Sequence, residues 1–246
     1  MKIFVCMPIV TGNGSKYMAT NLAHYTKTMF PTKKVALVDF DFKHPYLAEK
    51  LSLHDTIHSI DNLTDKIDGN FLDINLFMEN MIKLKSGVEL LKGTKLTHNI
   101  DLIKKHHIET IIELLKSYYD YVFIAVSNQA LSGTVYSLFN ADEVLLVAKN
   151  NYTNFKEAKK ALSLINHYKG NETNLSLIIN QYSDVSEVTF SEYIEKFNIL
   201  NIELVPYDEQ TFDHNDLDKS IIASKVFKSK KKSQEVFENL IEKFIV

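Results

Sequence analysis

Short runs of apolar residues alternate along this chain with stretches in which apolar positions recur every third or fourth residue. The runs are the start of 2–23 (KIFVCMPIVTGNGSKYMATNLA), then 33–39 (KKVALVD), 87–91 (GVELL), 120–126 (DYVFIAV), 143–148 (EVLLVA), 175–180 (LSLIIN) and 202–205. Unbroken apolar runs of this length read as strands covered on both faces. Between them, 99–118 places Ile100, Ile103, Ile108, Ile111, Leu115 and Tyr118 at helical spacing, and 153–167 does the same with Phe155, Ala158, Leu162 and Ile165. A further helix is predicted over 190–197, and Pro45 suits the first turn of a short helix carrying Leu47 and Leu51 on one face. Residues 52–85 are polar and mixed, with weak helical patterning over 57–67 and 75–83. Strands alternating with helices predict an α/β fold: a doubly wound, mainly parallel sheet of about seven strands with helices on both faces. No internal repeat or low-complexity linker interrupts the pattern, so one domain is expected over 1–246.

The first strand runs into a glycine-bearing loop and a helix start, which is phosphate-loop architecture. Gly12 and Gly14 could supply backbone N–H groups that converge on an anion, the helix adds its positive end, Lys16 is the nearby cation, and 12–17, with Asn13, Ser15 and Tyr17, is the candidate ligand-binding loop. The usual motif is GxxxxGK followed by Ser or Thr, with the hydroxyl on Mg²⁺. Here Gly14 is followed by Ser15, Lys16 and Tyr17, so lysine and hydroxyl are out of order. A plain strand, turn and helix is the competing reading. Asp39 and Asp41 stand at the carboxyl end of the second strand, the edge where open α/β sheets bind ligands. Asp41 alternatively caps the helix that follows.

Composition narrows the chemistry. All 28 basic residues are lysine, which removes guanidinium clamps and arginine fingers. Net charge is −3, so charge-driven nucleic-acid binding is not expected. The single Cys6 excludes an intramolecular disulfide and a cysteine-built zinc site, and lies in an apolar run as a small buried hydrophobe. His106 and His107 have no acid or cysteine at ligand spacing and read as surface or boundary residues, so no metal site is assigned. With no signal peptide and no long apolar run, a cytoplasmic protein is expected. At 233–246 the residues Val236, Phe237, Leu240, Ile241, Phe244 and Ile245 share a face, after Lys225, Lys228 and Lys230 to Lys232. A membrane helix wants lysines on its polar face. Glu235, Glu238 and Glu242 are there instead, so packing on the protein's own sheet is predicted, with at most a weak peripheral membrane contact.

In this order the segments resemble the MinD/ParA family of deviant Walker P-loop ATPases, and most of all its TadZ/CpaE-like members. VTGNGSKY followed by MATNLA is similar to the family loop, LVDFDFKHPYLAEKL to its second acidic motif, SYYDYVFIAV and NADEVLLVAKNN to the Walker B strand and the next, and LIINQY and LVPYDE to the segments framing adenine. The resemblance implies adenine contacts from Asn180, Pro206 and Asp208, although an Asn ending a strand is also an ordinary turn residue. It implies water positioning or metal coordination by Asp39 and Asp41. In the ungapped match Val10 stands at the family's first lysine, Ser15 at its main phosphate lysine, Lys16 at the Mg²⁺-binding hydroxyl and Ala125 at the Walker B acid. ATP or ADP is therefore the implied ligand while Mg²⁺ is doubtful, and the chain is at most a weak ATPase, with Asp41 the candidate catalytic group. The resemblance implies a homodimer that localises a larger pilus, secretion or conjugation apparatus. A slow partition ATPase and a nucleotide-free scaffold are the alternatives.

Overall fold

The computed structural model describes residues 1–53, 57–95, 98, 100–170, 174–183, 190–197, 199, 201–207 and 230–245. Its strands are β1 (Lys2–Pro8), β2 (Val35–Phe40), β3 (Ile82–Lys83), β4 (Glu89–Leu91), β5 (Tyr121–Val126), β6 (Glu143–Ala148), β7 (Leu175–Tyr182) and β8 (Asn201–Pro206). They form one eight-stranded sheet in the order β3-β4-β2-β5-β1-β6-β7-β8. The seven predicted runs pair in parallel, and the added strand, β3, lies antiparallel on β4 at the edge. Two residues carry no readable periodicity, so β3 is visible only through its partner.

Helices α1 (Ser15–Met29), α2 (Leu47–Lys50), α3 (Asp61–Asp68), α4 (Ile74–Glu79), α5 (Lys105–Tyr118), α6 (Ser132–Asn140), α7 (Tyr152–Lys169), α8 (Phe190–Phe197) and α9 (Lys230–Ile245) cover the sheet. Side chains on a strand alternate between faces. Along β1, Ile3, Val5 and Met7 pack in one core with Ile108, Ile111 and Leu115 of α5 and Ala158 of α7, while Phe4 and Cys6 pack in the other with Met18 and Leu22 of α1 and Phe237 of α9. Cys6 is fully buried, and burial pushes its thiol far above the usual range, so it is an inert hydrophobe.

Three predicted helices change at their ends. The one over 99–118 begins at Lys105, after a 3₁₀ turn at Ile100–Leu102. The pattern at 57–67 condenses to α3, and that at 75–83 divides into α4 and β3. Helix α6 was unforeseen, because its sequence, SGTVYSLFN, is rich in small polar residues rather than apolar stripes. Those small residues let it approach the sheet: a Cβ on Gly133 would stand 2.7 Å from the carbonyl oxygen of Phe40.

The C-terminal helix α9 packs its apolar face inward, as predicted. Phe237 and Ile241 are fully buried, Phe237 stacks on Tyr25 at 5.6 Å, and Tyr17 meets it edge-on at 5.9 Å. No described helix is long and apolar enough to cross a membrane. Lys225 and Lys228 lie outside the described residues.

Candidate functional site

Strand β1 lies between β5 and β6, with β2 beyond β5, so the chain leaves β1 toward one side of the sheet and returns on the other. At such a switch point the loops at the carboxyl ends part and leave a crevice. A cavity of about 590 Å³ occupies it, lined by the loop residues Thr11, Gly12, Gly14, Ser15, Lys16 and Tyr17 and by Asp41, Ser127, Lys149 and Asn180, among others.

The loop is shaped by its glycines. Gly12 and Gly14 have φ of 91° and 98°, a region costly for side-chain-bearing residues. Helix α1 starts at Ser15 directly after Gly14, so its first N–H groups open toward the cavity floor. A Cβ on Gly14 would also overlap Nδ2 of Asn180. Asn180 donates from Nδ2 to the carbonyl of Asn13 at 2.8 Å, so its amide clamps the loop while lining the cavity. Asn13 itself turns inward: its amide donates to Val147 O at 3.2 Å and to Asn154 Oδ1. Of the loop positions assigned to ligand binding, Asn13 is thus the one that does not line the cavity, and it fixes the loop to β6 and α7 instead.

Lys16 defines the electrostatics. Its ammonium donates to Asp41 Oδ2 at 2.5 Å and stands 3.6 Å from Asp39 Oδ1. Asp39 is 1% exposed, and burial raises its carboxyl to about 6 against the lowering effect of Lys16, with the nearby Asp41 raising it further. The expectation that Asp41 caps the second helix is corrected. Asp41 accepts from the backbone of His44 at 3.1 Å, whereas Asp39 Oδ2 accepts from Leu47, the first residue of α2, at 3.0 Å. Asp39 pairs in register with Ala125 of β5, so no third carboxylate faces the two aspartates from that strand.

The far wall is formed by Asn180, Gln181 and Pro206. Gln181 has φ 57°, and the β7–β8 register shifts between Ile179 and Tyr182, which splays the strand end away from the loop. Asp208 lies outside the described residues. Sequence reasoning missed Ser127, Lys149 and Lys50 as cavity residues. Two of them directly follow strands, and position at a strand's carboxyl end was the available signal.

The residues fit a nucleotide better than a metal. Mg²⁺ demands oxygen ligands in near-octahedral array. At the mouth of the helix the chain places instead the Lys16 ammonium, already bonded to one acid and close to the other. The backbone of 12–16 and the size of the cavity suit a phosphate chain with a base beyond it.

A second cluster has the composition of a metal site among the described residues: Asp68, His106 and His107. Asp68 Oδ1 lies 2.7 Å from His106 Nε2 and 2.8 Å from His107 Nε2, and the two histidines hold its carboxyl down to about 2. The reading of both as surface or boundary residues is corrected for His107, which is 1% exposed. Its Nδ1 accepts from the Lys104 N–H at 3.1 Å, leaving the ring proton on Nε2, directed at Asp68. Both rings hydrogen-bond to Asp68, so the cluster ties α3 to α5.

The open, mainly parallel sheet, with a glycine loop before α1 and an acid pair at the carboxyl end of β2, has the fold of solved ParA and MinD structures. A ParA family ATPase from Chlorobium tepidum superposes with a TM-score of 0.84 at 18% identity, over 97% of this chain and 98% of that one. A chain of the MinC:MinD cell division protein complex of Aquifex aeolicus gives 0.76 at 16%, over 100% and 98%. A plasmid partition protein of Borrelia burgdorferi bound to AMPPNP gives 0.74 at 17%, over 99% and 98%. The sequence matches no protein-family model and no curated protein. At these identities the structural likeness establishes the shared fold.

Proposed function

We propose that this chain is a MinD/ParA-like, TadZ/CpaE-like positioning factor that takes ATP or ADP without Mg²⁺, hydrolyses it slowly or not at all, and dimerises to localise a larger pilus, secretion or conjugation apparatus. The observation that carries the reading is the ammonium of Lys16 between Asp41 and Asp39, with Ala125 opposite Asp39. Phosphoryl transfer depends on a metal ion to neutralise charge developing on the phosphate oxygens. A fixed lysine there takes the place of the ion, repels it and leaves the aspartates engaged. The phosphates would lie on the backbone of Gly12 to Lys16, and the base between Asn180 and Pro206. Neighbours of the same fold are partition and cell division proteins, one of them bound to AMPPNP and another complexed with Mg-ADP.

Calorimetry of purified protein with ATP and ADP, first with Mg²⁺ and then with EDTA, followed by light scattering in each buffer, tests the proposal. Binding that persists in EDTA and converts monomer to dimer is expected. Hydrolysis strictly dependent on Mg²⁺ would sink it in favour of a slow partition ATPase. Absence of binding in both buffers would leave a scaffold that recognises only proteins.

A further inference from the structure

The cavity contains more positive charge than the loop accounts for. Lys16 is engaged by Asp41 and Asp39, so that trio, one ammonium against two carboxyl groups, offers no net positive charge to a ligand. His44 lies 3.9 Å from Asp41 and shares the same acid. Lys50 and Lys149 differ. Both line the cavity, both are half-buried, and neither has an acidic partner within 4 Å among the described residues.

They reach it from opposite sides of β1. Lys50 ends α2, which follows β2, while Lys149 follows β6, on β1's other flank. Pro8 is in register with Val147, so Lys149 stands just past the point where strand pairing ends and the glycine loop begins. Two uncompensated ammonium groups facing one cavity repel each other, an arrangement relieved by an anion between them. A phosphate chain lying on the loop without a divalent ion carries several uncompensated charges. Lysine is a compact point charge on a flexible stem and meets phosphate oxygens without a fixed fork geometry.

We infer that Lys50 and Lys149 are the charge partners of a metal-free polyphosphate in this cavity, one on each flank of the loop. This rests on the reading that the cavity takes a nucleotide, and it adds which residues replace the neutralisation a metal would provide. Because point charges read charge rather than the base, inorganic tripolyphosphate binds as well as ADP.

The test is calorimetry in EDTA with ADP and with tripolyphosphate, on wild type, Lys149→Gln, Lys50→Gln, Lys149→Arg and the surface control Lys159→Gln, with the ligand-free thermal midpoint of each. The two glutamine variants are expected to bind at least tenfold more weakly at unchanged midpoint, with Lys149→Arg and Lys159→Gln close to wild type. Wild type that binds in EDTA, with both glutamine variants within twofold of it, overturns the inference and leaves the nucleotide reading standing. Wild type that binds neither probe overturns the nucleotide reading itself. If a glutamine variant is misfolded, the salt dependence of wild-type binding decides: affinity should fall steeply between about 50 and 300 mM salt, and a flat response refutes the role of the lysines.

Discussion

Residue 16 is where this loop's chemistry turns. Replacing its ammonium by a hydroxyl, Lys16→Thr, would free Asp39 and Asp41 and create an oxygen-lined place for a divalent ion. Mg²⁺ is expected to raise the thermal midpoint of Lys16→Thr by several degrees and leave wild type unmoved; equal response of both proteins would contradict this account. Asp39 gives a second expectation, with a definite sign. Its folded pKa, about 6, lies above its unfolded value, so the folded state holds the proton more tightly. Its contribution to stability is therefore present at pH 4 and lost as the pH rises toward about 6, by at most about 3 kcal/mol. Urea midpoints of wild type and Asp39→Asn, measured between pH 4 and 7, should differ in slope within that window and run parallel above it. Asn180 supplies a third. Asn180→Ala removes the donor to the Asn13 carbonyl, and leaving that buried acceptor unpaired costs about 1–3 kcal/mol, readable as a lowered denaturation midpoint.

Among the elements, α9 has its chemistry written in its periodicity and its place decided by the fold. Its apolar stripe was legible, and so were the glutamates on its outer face; the partner, α1 through Tyr25 and Tyr17, was not. Phe237→Ala removes the ring from that contact and is expected to destabilise the protein by about 3–5 kcal/mol, seen as a shifted unfolding midpoint. A shift below 1 kcal/mol would mean that α9 does not hold the core together. The central strands were readable because burial on both faces leaves unbroken apolar runs. Strand β3 was not, being two residues long, and α6 was not, because close packing selected glycine, serine and threonine over the stripe that marks a helix. The site divides in the same way. The glycine loop and the acid pair are local patterns and could be found; the bond from Lys16 to Asp41, the clamp from Asn180 to Asn13 and the approach of Lys149 join segments remote in sequence and exist only once the sheet has formed.

At the scale of the molecule, the cavity draws on the loop after β1, the segment after β2, and the ends of β5, β6, β7 and β8, while the β3–β4 edge takes no part in it. Hydrogen exchange with and without ADP in EDTA should show new protection over 11–17 and at the carboxyl ends of β6 and β7, with none at β3 and β4. Protection concentrated on that edge instead would place the ligand elsewhere. The pairing of Lys16 with its two aspartates has a consequence at this scale too. On the proposed metal-free reading, a counterion carried on the chain cannot be chelated, exchanged or diluted, so an occupied cavity would be insulated from swings in free magnesium. How long an occupied state lasts is then a matter of how quickly the ligand departs, and a partner that slows departure becomes the timer.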